Sequence, residues 1–95
     1  MLHLLFASLA DDAVLKRFAQ GDDVVFLENA SFALLKNSRF ATTLEQFTDC
    51  QLYALADDLA ARGLMADGLI ANLKVIGYDD LVALTVSNPH IHSWS

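Results

Sequence analysis

Apolar positions in this chain follow two rhythms. Continuous apolar runs occupy residues 3–6, 23–27, 50–55 and 73–76, broken only by His3, Asp23, the start of the third run and Lys74. Short runs bounded by polar and turn-forming residues read as buried strands. Between them, apolar residues recur at helical spacing. Val14, Leu15, Phe18 and Ala19 share one face after Asp11 or Asp12, either of which predicts an N-cap, and Gly21 predicts the stop. Asn29 predicts the cap of a second short helix through Ala33, Leu34 and Leu35, ending near Asn37. Thr42 with Glu45 predicts a capping box for one further turn, with Leu44 and Phe47 inward.

The third strand run opens at Cys50 and is followed by a helix over 57–62, closed by Gly63. Residues 65–72 read as a loop with room for a helical turn. Asp79 or Asp80 starts a last helix carrying Leu81, Val82, Leu84 and Val86, which Asn88 and Pro89 end. The tail over 91–94 offers a final short strand. Strands alternating with helices predict an α/β fold, a small open and mainly parallel sheet flanked by helices on both faces. No repeat, linker or low-complexity tract interrupts residues 1–95, so they form one domain.

Composition changes this picture in one respect. The chain has 95 residues, of which 55% are apolar, and a mean hydropathy of +0.38. So small a domain leaves much of its surface wet. The apolar content therefore exceeds what one core hides, and burial against another subunit is expected. The opening residues lack a basic leader and a cleavage site, so they read as a strand and not as a signal peptide. No apolar run approaches the roughly 20 residues that span a bilayer. Net charge is −6, which disfavours direct contact with nucleic acid. A single cysteine excludes an internal disulfide and a cysteine-rich metal site, and suits a reducing cytoplasm.

Three groups of residues are candidates for chemistry. Asp57-Asp58, Asp79-Asp80 and Glu28 are expected at carboxyl ends of strands, where carboxylates hold Mg²⁺ in receiver-like signalling domains. Helix caps and first-turn acids account for each of them separately, and no lysine follows the last strand as a receiver requires. His90 and His92 lie two apart and would share one side of an extended tail, but no third ligand is near in sequence. His3 within an apolar strand reads as a hydrogen-bonded core residue. Metal and cofactor sites are therefore expected to be absent. Cys50 is the weak candidate for a catalytic thiol. It falls at the amino end of its strand, away from the edge where ligands gather. Asp49 and Gln51 beside it supply no positive charge to stabilise a thiolate.

The chain resembles the TusB/DsrH family, the smallest of three related subunits in bacterial sulfur-relay complexes. The resemblance runs nearly end to end: Leu2-His3, Gly21 followed by residues 24–28, Tyr53-Ala54-Leu55 with Asp58-Leu59, and Ala61-Arg62-Gly63-Leu64. It continues in Tyr78, Asp80, Val82, Leu84-Thr85-Val86 and a near-terminal Trp94. It implies a DsrE/DsrF/DsrH-like fold and a cytoplasmic heterohexamer with TusC/DsrF-like and TusD/DsrE-like partners. In that relay persulfide sulfur passes to a cysteine of the largest subunit and onward. One branch ends at 2-thiouridine in the tRNA wobble position, the other serves dissimilatory sulfur oxidation.

Some family members carry a cysteine in the first helix. Aligning Gly21 with the family glycine puts Val14 there, and Leu9 stands where a proline often follows the early serine, here Ser8. A valine cannot carry a persulfide. The resemblance then implies a non-catalytic subunit of a sulfurtransferase complex, acting in tRNA thiolation, without direct contact to nucleic acid or membrane. The alternatives are a persulfide carrier using Cys50, a subunit of the sulfur-oxidation branch, and, more remotely, a Mg²⁺-binding receiver-like domain. The isolated chain is open to forming a homodimer.

Overall fold

A computed structural model describes residues 1–7 and 13–94. Five strands form one sheet in the order β4-β3-β2-β1-β5, with every neighbouring pair parallel. They are β1 (Leu2–Leu5), β2 (Asp23–Phe26), β3 (Gln51–Leu55), β4 (Leu73–Ile76) and β5 (Ile91–Trp94). Three α-helices accompany them: α1 (Ala41–Glu45), α2 (Ala56–Ala61) and α3 (Tyr78–Ser87). Tighter 3₁₀ turns occupy Leu15–Arg17, Glu28–Leu34 and Ala66–Gly68.

The strand order explains the two layers. From β1 to β4 the chain steps in one direction, so right-handed crossovers place all these connections on one face. That face holds the larger core, in which Val24, Phe26, Leu52 and Ala54 meet Leu15, Leu34, Leu44 and Leu59. The step from β4 to β5 runs back across the sheet and puts α3 on the opposite face. There Leu2, Val25, Leu27, Leu55 and Ile76 are buried, with Leu81 and Leu84 of α3 against them. None of the ten residues of α3 is buried. Among the described residues, one face is thus covered by the three connections that join β1 to β4 and the other by α3 alone.

Turn chemistry fixes several boundaries. Gly63 sits at φ +67°, and its N–H and that of Leu64 bond back to the carbonyls of Ala60 and Leu59. This left-handed stop closes α2 as the sequence predicts. Gly21, at φ +85°, donates its N–H to the Asp49 carbonyl at 2.8 Å, tying the approach to β2 to the approach to β3. In α3, Asp80 accepts from the Gly77 N–H at 3.2 Å and satisfies one of the free donors of the first turn.

Other expectations shift. The second helix begins at Glu28, with Leu27 as its extended N-cap. Asn29 therefore lies inside the turn, where its side-chain Oδ1 accepts from Arg62 Nε at 3.3 Å. Thr42 does not cap α1, which already begins at Ala41 after Phe40 without a side-chain cap. Between Ala13 and Gly21 the helical part is only the turn Leu15–Arg17. The Asp11 or Asp12 cap, together with Ser8 and Leu9, lies outside the described residues. In α3 only Leu81 and Leu84 face the sheet, whereas Val82 and Val86 are exposed.

Candidate functional site

Parallel strands give the sheet two unlike edges. At the amino edge, β1 brings His3 beside Asp22, the residue just before β2. His3 Nε2 lies 2.8 Å from an Asp22 carboxylate oxygen, which also accepts from the Ala19 N–H at 2.9 Å. The Met1 ammonium group lies 3.1 Å from the other oxygen. On the opposite side of the imidazole, the Trp94 indole N–H donates to Nδ1 at 3.2 Å. An indole N–H only donates, so Nδ1 accepts and the ring proton sits on Nε2, facing Asp22. His3 is 2% exposed, and both of its nitrogens are satisfied. Phe18 packs against the imidazole with ring centroids 4.7 Å apart.

Burial opposes ionisation of Asp22, but the Ala19 N–H, His3 and the Met1 ammonium outweigh it and hold its carboxyl below the ordinary range. Cys50 belongs to the same edge, immediately before β3. Its thiol donates to the Ala19 carbonyl at 3.1 Å. Burial, followed by the charges of Asp22, Asp49 and Asp23, raises its pKa. A nucleophilic thiol needs the opposite environment. Val14, at the position the family resemblance gives to a cysteine, is half-buried against the larger core.

At the carboxyl edge the acids predicted from sequence do gather. Glu28 follows β2, Asp57 and Asp58 open α2, and Asp79 and Asp80 open α3. Glu28 adopts φ +49°, sparsely populated by residues other than glycine, and its N–H donates to Asp58 at 2.9 Å. Arg62 lies 3.8 Å from Asp58. Among the described residues no group of three or more His, Cys, Asp or Glu is placed to hold a metal ion. His92 packs on Trp94 with ring centroids 4.1 Å apart, and His90 is exposed.

This edge also holds a feature that the sequence did not disclose. A groove of about 340 Å³ opens between α3 and the ends of β1, β2 and β3. Leu4, Phe6, Leu27, Leu55 and Leu81 line it, with Glu28, Asp58, Tyr78 and Thr85 around them. Tyr78 leads outward into an exposed stripe. Tyr78, Val82 and Val86 recur every four residues on α3 and are 66%, 46% and 81% exposed. Their signal was present in the sequence, because α3 is apolar on too wide an arc for one buried face.

A family model described as "DsrH like protein" matches residues 6–91. The chain belongs to the DsrH-like family. Full-length relatives agree with this. It is 38% identical to Protein TusB of Erwinia tasmaniensis over 97 residues, covering 99% of this chain and 100% of that one. It is 38% identical to Protein TusB of Escherichia coli K12 over 98 residues, with the same coverage. The match to Protein TusB of Buchnera aphidicola is 34% over 97 residues, again at that coverage. Two solved structures share the fold. A protein of unknown function from Methanobacterium thermoautotrophicum superposes with a TM-score of 0.71 at 14% identity, over 98% of this chain and 96% of that one. A Thermotoga maritima protein solved by NMR gives 0.62 at 23% identity, over 93% and 94%. Among the described residues of this DsrH-like chain, no helix is long and apolar enough to cross a membrane.

Proposed function

We propose that this DsrH-like chain is a non-catalytic subunit of a cytoplasmic sulfur-relay complex, acting beside TusC/DsrF-like and TusD/DsrE-like partners in 2-thiouridine formation at the tRNA wobble position. Family membership supports the relay, and likeness to proteins named TusB supports the tRNA branch. The observation that carries the non-catalytic role is the setting of Cys50. Sulfur transfer requires a thiolate to attack the outer sulfur of a persulfide or to leave from it. Cys50 is instead hydrogen-bonded to a backbone carbonyl, and burial and three carboxylates work against its ionisation.

The thin cover of the α3 face supports a role in assembly, since it leaves apolar surface for a neighbour to bury. The net charge of −6 favours leaving tRNA to another component. The test is a reconstituted complex with Cys50→Ser, assayed for sulfur delivery. Near-normal transfer is expected. Loss of transfer with the assembly intact would make Cys50 the carrier and overturn the reading.

A further inference from the structure

We propose that the groove between α3 and the carboxyl ends of β1, β2 and β3 docks a segment of a partner protein that inserts an apolar side chain and carries lysine or arginine beside it. This extends the assembly role proposed above by naming a surface and the chemistry of its occupant.

Two properties of the groove coincide. Its floor is aliphatic and aromatic: Leu4, Phe6, Leu27, Leu55 and Leu81 come from three strand ends and one helix. It is shallow enough to reach solvent, and Tyr78 at its mouth is 66% exposed. Exposed tyrosines commonly anchor interfaces, because they bury much area with little loss of side-chain entropy. The stripe of Val82 and Val86 continues the apolar surface along α3.

The rim is the second property. Glu28 and Asp58 line the groove. Asp57 and Asp79 are the chain neighbours of the lining residues Asp58 and Tyr78, in the first turns of α2 and α3. Among the described residues the ion pair at this edge is Arg62 with Asp58. Helix α3 itself carries no basic residue. An apolar floor within a negative rim complements an apolar side chain flanked by cations. Two copies set groove to groove would bring like charge to like, which disfavours that contact.

The experiment uses the ¹⁵N-labelled full chain and a short synthetic peptide of leucine and lysine, followed by backbone amide shifts. Localised shifts at Phe6, Leu27, Glu28, Tyr78, Leu81 and Thr85 are expected. Tyr78→Ala should weaken binding about tenfold, the loss typical of an interface anchor. Glu28→Lys with Asp79→Lys should weaken it by a similar factor and flatten its salt dependence. Asp49→Lys, at the opposite edge of the sheet, should leave it unchanged. All four positions are exposed, so the variants keep the fold, which their amide dispersion verifies.

Equal binding of a serine-for-leucine peptide would overturn the proposal, as would shifts that ignore Tyr78→Ala. Concentration-dependent shifts at the same amides without peptide would overturn it in favour of self-association. A failure here leaves the Cys50→Ser assay unaffected, so the two readings fall separately.

Discussion

Trp94 reaches across the pairing of β5 on β1 to donate its indole N–H to Nδ1 of His3, 91 positions earlier, at 3.2 Å. The contact turns an exposed edge strand into a fixed part of the core. Three of the four residues of β5 are exposed, so little else on this strand is buried. Replacing Trp94 with phenylalanine keeps an aromatic body and removes the donor. It leaves a buried imidazole nitrogen unpaired, which costs about 1–3 kcal/mol. Urea unfolding should show that loss as a lower midpoint with an unchanged slope.

Asp22 gives the fold a defined acid limit. Its carboxyl is held below the ordinary range in the native state, so between the native and unfolded pKa values the unfolded chain binds more protons. Stability therefore rises with pH in that window and is fully present above the unfolded value of about 3.9. It is lost as pH falls through the native value. Urea midpoints measured from neutral pH down to about pH 3 should decline below about pH 4. In Asp22→Asn this part of the decline should disappear, along with some stability at neutral pH.

Cys50 should react slowly with thiol reagents near neutral pH. Burial and then the neighbouring carboxylates keep its thiolate fraction below that of a free cysteine. Asp49→Asn removes one of those charges from an exposed position. Losing it should lower the thiol pKa and speed alkylation at a fixed pH near neutrality. A stopped-flow comparison with a model thiol at several pH values measures both effects. Alkylation faster than the model thiol would contradict the environment described for Cys50.

The sequence disclosed the strands best, because a parallel sheet covered on both faces demands unbroken apolar runs such as Val24-Val25-Phe26-Leu27. It also disclosed Gly63, whose left-handed turn has few substitutes. It was weakest where local signals compete with distant partners. Asn29 has the chemistry of an N-cap, but Arg62, 33 residues later, takes its side chain. Thr42 and Glu45 have the spacing of a capping box, yet the helix already begins at Ala41 with Phe40 in the cap position. The His3 network could not be read from sequence, since its members are separated by 19 and 91 positions. The groove escaped for the same reason: Phe6, Leu27, Leu55 and Leu81 look like ordinary core residues, and only the path of α3 brings them to one opening.

The position of β5 beside β1 also bears on how the protein is made. Leu2 pairs with Ile91 and Leu5 with Trp94, so one neighbour of the first strand is synthesised only after the other four strands. During translation the other four strands can order themselves from the amino end. β1 meanwhile keeps one row of backbone donors and acceptors open, and His3 lacks the donor for Nδ1. Pairings so distant in sequence form late, because the loop between them must close first. Until residues 91–94 are free to dock, a nascent chain exposes a bare strand edge. That makes the interval before β5 docks the period when this fold is most open to mispairing.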